Sequence, residues 1–249
     1  LSREFRITLF INFAFVALTA HVLSLYIRKY FALTRNYSRV IGIAVALMPL
    51  VAANALFAWS ESLNILGFTV LVYCAFNYCV DNSRGSAIAL ALIAPFLAVT
   101  HGRFTLVLPL TVLLLVIAPA VNKAFRASIL TTIGSVLLSA FTYFMLAKAN
   151  LWLRNELYLG AAGKEGRLKD KLFDTANWGN IVRALGGQNW YLFATSFGLA
   201  IVGALILFKH LTASERRLHP GLAVASLFTL GAIAIIELTS ALTLVKIIR

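Results

Sequence analysis

The stretch FAWSESLNILGFTVLVYCAF, residues 57–76, holds one charged side chain, Glu61, between two apolar runs. From Leu63 to Val80 no charged residue occurs. A bilayer core about 30 Å thick takes roughly 20 residues of helix to cross. The stretch therefore predicts a membrane helix with an acid at its start.

The rest of the chain repeats this pattern. Of 249 residues, 61% are hydrophobic and 12% are charged, too little polar surface for a soluble domain of this size. Apolar runs at 7–27, 40–57, 63–80, 86–99, 104–121, 127–147, 190–208 and 222–245 predict an all-α, polytopic membrane helix bundle of about eight transmembrane segments. Residues 1–249 read as one transmembrane domain. The 86–99 run carries Pro95 and is parted from 104–121 by little more than THGR (100–103). Either a tight helical hairpin or a broken, re-entrant pair fits. No N-terminal signal pattern is present, and the chain opens on LSREFRITLF and closes on KIIR. We expect an internal piece of a longer protein. Cys74 and Cys79 fall inside one apolar run at a spacing that suits neither a disulfide nor a metal, and small buried hydrophobes are expected there.

The net charge of +13, from 22 basic and 9 acidic residues, is a topology signal. Alternating the segments places Arg28, Lys29, Arg35, Arg39, Arg84, Lys123, Arg126, Lys209, Arg216 and Arg217 in one set of loops. The short opposite loops, 58–62 and 100–103, hold only Arg103. By the positive-inside rule the first set is cytoplasmic, next to anionic membrane lipid. No interleaved aromatic and basic motif occurs, and nucleic acid is excluded as a partner.

That orientation gathers Glu61, the His101-Gly102-Arg103 turn and the loop 148–189 on the outer face, together with Trp59, Trp152, Trp178 and Trp190. Within the loop, NLWLRNELYLG (150–160) and RLKDKLFDTANW (167–178) flank the breaker-rich GAAGKEG (160–166). Their patterns predict two short amphipathic helices lying in the membrane surface. Basic residues outnumber acids there, which suits a solvated loop or a cradle for a lipid-linked phosphate.

Glu61 has two readings. Ser60-Glu61 is a sound start for a helix, with the carboxylate near the positive end of the dipole. A carboxylate facing a His-Gly-Arg turn can also act as a general base, orient an acceptor hydroxyl or hold a divalent cation. His101 and Arg103 are candidate phosphate ligands, and His101 equally suits a plain interfacial hydrogen-bonding role. Gly102 lets a ligand approach Arg103. Gly186-Gly187-Gln188-Asn189-Trp190 reads as a hinge, or as a sugar contact through Gln188, Asn189 and Trp190, and Trp59 is a further candidate substrate-binding residue. His21 and Glu237 are ionisable groups inside apolar runs, which mark a pathway or a cavity.

The order of a basic loop (RKYFALTRNYSR, 28–39), an apolar helix with Pro49, an acid at its outer end (AWSESL, 58–63) and an outer THGR turn resembles the middle membrane region of GT-C glycosyltransferases. The resemblance covers about residues 28–208. It implies a GT-C-like fold and transfer of a sugar from a polyprenyl-phosphate carrier to a glycan, lipid or protein acceptor, at the outer face of the cell's inner or plasma membrane. It further implies a catalytic role for Glu61 and carrier binding by Arg103 with His101 as neighbour. The family's principal acid lies in a first outer loop that has no counterpart here, Glu4 being the only acid before the first run. The cofactor stays open, a divalent cation included, and no metal-ligating residues are assigned. Two other classes remain: a polymerase or ligase of lipid-linked glycans, and a polytopic transporter or flippase using His21 and Glu237. No protease or nucleotide-binding motif is present.

Overall fold

The computed structural model describes residues 3–48, 51, 61–121, 129–156, 179, 182–183, 186–187 and 199–244. Helices α1 (Arg3–Tyr30), α2 (Arg35–Ala46), α3 (Glu61–Asp81) and α4 (Arg84–Thr100) lead to a 3₁₀ turn, Gly102–Phe104. After it come α5 (Val107–Val121), α6 (Ile129–Glu156), α7 (Leu199–Lys209), α8 (Ala213–Leu218) and α9 (Pro220–Leu244). No strand occurs among the described residues.

Each of the eight apolar runs overlaps one of these helices. Five stretches are long and apolar enough to cross a membrane: Arg3–Tyr30, Glu61–Asp81, Gly102–Ala120, Leu130–Leu153 and Pro220–Ala241. The expected count of about eight spans is thus five among the described residues. The α2 and α7 runs reach into 52–60 and 188–198, which lie outside the described residues. The α4 run is short because the chain turns at both ends, and its 17 residues rise only about 25 Å.

Local chemistry explains the joints. Asn82 closes α3 in the left-handed region (φ 55°), a conformation asparagine tolerates. The Ser83 side chain accepts the Ser86 amide at 3.2 Å and so starts α4. Pro220 opens α9 at the one helical position where a missing N–H costs nothing. Across the short 3₁₀ turn α4 packs on α5.

Residues 150–156 depart from expectation. They continue α6 without a break instead of forming the first of two separate surface helices. Nothing between Tyr143 and Leu153 interrupts a helix, and the nearest breakers are the glycines from Gly160 onward. The second expected surface helix, 167–178, lies outside the described residues.

The core lies around α4, which packs on α3, α5 and α6. Leu71 and Phe76 from α3, Leu90 and Leu97 from α4, and Leu115 from α5 are buried there, and Phe228 and Ala232 of α9 close it. Cys74 and Cys79 are buried free thiols, as expected. At one end of the bundle Lys29 pairs with Asp81 at 2.6 Å, and the Tyr30 hydroxyl donates to Asn77 Oδ1 at 2.7 Å. These contacts set α1 parallel to α3. Gly221 rests on the Cys79 carbonyl at the same end. The basic stretches 28–39, 81–84 and 209–219 therefore share one end, and Glu61, the 3₁₀ turn and Thr239 share the other.

A Cβ at Gly221 would overlap the Cys79 backbone, whereas one at Gly134 meets nothing within 4 Å. Gly221→Ala should lower stability by about 1–3 kcal/mol, and Gly134→Ala should leave it unchanged or slightly raised. Thermal unfolding of the purified protein in detergent measures both.

Candidate functional site

At the Glu61 end three elements meet. α3 supplies Glu61 at its first position and Asn64 on the same face, since residues three apart on a helix are neighbours. α4 ends in Thr100, and the turn carries His101 and Arg103. α9 packs against that turn, where Thr239 Oγ1 lies 3.1 Å from the Arg103 carbonyl and shares its proton with carbonyls of its own helix.

His101 ties these parts together. Its Nδ1 accepts the Arg103 backbone N–H at 3.3 Å and caps the 3₁₀ turn. A ring nitrogen that accepts carries no proton, so the proton sits on Nε2. Nε2 lies 3.2 Å from Glu61 Oε1 and donates to it. His101 is therefore a connector with both ring nitrogens engaged by the fold.

Arg103 Nη1 stands 3.9 Å from the same Glu61 oxygen. The Arg103 side chain is 40% exposed and that of Glu61 24%, so the pair is sheltered but open to solvent. Pairs this accessible contribute about 0–1 kcal/mol. Arg103 gives up little by turning from Glu61 to an anion. Its Nε is buried and makes no hydrogen bond among the described residues.

Of the residues singled out from sequence, Glu61, His101 and Arg103 are brought into contact. Trp59, Gln188 and Trp190 lie outside the described residues. Glu237 is half-buried on α9 within the field of Arg103, which adds a second carboxylate at this end. His21 sits on an exposed face of α1. Among the described residues no group of three or more His, Cys, Asp or Glu could hold a metal ion. Sequence reasoning missed Asn64, Thr100 and Thr239. Only the helical spacing from Glu61 to Asn64 pointed to the first, and nothing local pointed to the other two.

Comparison with protein-family models, curated proteins and solved structures found no match for this chain.

His101→Ala should cost about 1 kcal/mol, the typical worth of a side-chain cap. His101→Asn, which keeps an acceptor near the Arg103 amide, should recover most of that loss. Paired melting curves read the difference.

Proposed function

We propose that this chain is an integral-membrane glycosyltransferase. It moves a sugar from a polyprenyl-phosphate carrier to a glycan, lipid or protein acceptor, and its site faces the outside of the cell's inner or plasma membrane. The observation that carries this reading is the meeting of Glu61 and Arg103, from separate helices, at the end of the bundle opposite the basic loops.

The geometry supports a division of labour. In the transfer the bond from the sugar carbon to the carrier phosphate breaks, and a bond from that carbon to the acceptor oxygen forms. The acceptor proton passes to the Glu61 carboxylate, and the carrier leaves as a phosphate anion. Arg103 stabilises the charge that develops on that phosphate through the exposed part of its guanidinium. His101 holds Glu61 in place through Nε2. The segregation of the basic stretches to the far end supports the orientation, since cytoplasmic loops are enriched in Lys and Arg. The resemblance in layout to GT-C glycosyltransferases agrees with this chemistry.

Glu61→Gln and Arg103→Ala should each cut transfer by about 10²–10³ while the protein stays folded and inserted. The assay uses the purified protein in liposomes with a polyprenyl-phosphate sugar. Wild-type turnover in Glu61→Gln would reduce this acid to a helix start. In intact cells, a single cysteine introduced at Gly102 should react with an impermeant maleimide, and one at Ser83 should not. The reverse pattern would overturn the orientation.

A further inference from the structure

A proline interrupts α5 from within. Pro119 lies in its last turn, and a proline nitrogen has no hydrogen to give to the carbonyl four residues back, here that of Leu115. Leu115 is fully buried, in a stretch long and apolar enough to cross a membrane. At that depth a released carbonyl must find its donor inside the protein. The Tyr78 hydroxyl of α3 supplies it, donating to the Leu115 carbonyl at 3.1 Å, with Tyr78 itself only 1% exposed.

Tyr78 is one of three successive residues of α3 that each meet a different helix. Neighbours on a helix stand about 100° apart around its axis, so a run of three covers three sides. Asn77 accepts the Tyr30 hydroxyl of α1, Tyr78 donates to α5, and the Cys79 carbonyl lies against Gly221 of α9. Of these contacts, the one to α5 stands in for a backbone bond that the sequence has removed.

Little else fastens the end of α5. Val107, Thr111, Leu114 and Leu115 are buried, whereas of residues 116–120 only Ala118 is. A helix bends at a proline, whose ring also pushes against the turn before it. We propose that α5 carries a hinge at Leu115–Pro119 and that the Tyr78 hydroxyl is its latch. With the bond made, the last turn of α5 is tied to α3. With it broken, residues 116–121 open as a unit while Val107–Leu114 stays in the core. The latch also joins, at the basic end, the helix that begins with Glu61 and the helix that follows the Arg103 turn.

A double-mutant cycle on the full chain in detergent tests the latch. Tyr78→Phe, Pro119→Ala and their combination are compared by hydrogen exchange of residues 116–121. Melting temperature carries the same cycle where exchange in the wild type is too slow to time. Tyr78→Phe removes the hydroxyl alone and should speed exchange of 116–121 about three- to tenfold, the worth of one interhelical hydrogen bond. Exchange in α1 should not change. Pro119→Ala returns an amide hydrogen to the Leu115 carbonyl, so in that background Tyr78→Phe should matter less than about twofold. An equal effect of Tyr78→Phe in both backgrounds overturns the proposal, because Tyr78 then acts without regard to the missing amide. No effect in the native background overturns it as well. Should Tyr78→Phe fail to fold alone, the combination decides: recovery of folded protein by Pro119→Ala supports the latch, and no recovery overturns it.

Discussion

The His101 imidazole receives the Arg103 amide on one nitrogen and donates to Glu61 from the other. Because the first bond shapes the turn and the second fixes the acid, the path of the backbone and the position of the carboxylate are one constraint. Arg103 inherits its place from that turn, and α9 reaches it through Thr239. Within a bilayer, helix backbones satisfy themselves and lend few groups to neighbours. Side-chain links of this kind are what register helices at a polar end.

Two polar clusters, one at each end of the bundle, differ in how fully their groups are used. At the far end Lys29, Asp81, Tyr30 and Asn77 bond to one another, so α1 and α3 are clamped. At the Glu61 end Asn64 and Arg103 keep buried donors without partners among the described residues. A saturated cluster suits a joint, and an unsaturated one suits a site that receives a ligand.

Much of this was legible in the sequence. Unbroken apolar runs announce membrane helices, and counting their alternation was enough to put Glu61 beside the His101-Gly102-Arg103 turn before any coordinates. Hydropathy was blind to where helices stop. Residues 150–156 look amphipathic, yet without a glycine or proline before Gly160 they extend α6. It was blind also to partners: His101 read as an interfacial hydrogen-bonding residue or a phosphate ligand, and only the turn geometry shows which groups its two nitrogens meet. Asn64 was hidden for a related reason. A lone amide in the first turn of an apolar helix looks like a polar end, and its burial depends on α4, which is distant in the chain.

The brevity of α4 has a consequence for how it lies beside α3. Its rise of about 25 Å falls short of a hydrocarbon core about 30 Å thick. α3 beside it rises about 31 Å over its 21 residues. The two helices nevertheless meet at both ends, through the Asn82-Ser83 joint and through the bond from His101 to Glu61. The difference in length is therefore absorbed by tilt and by the turn that carries His101 and Arg103.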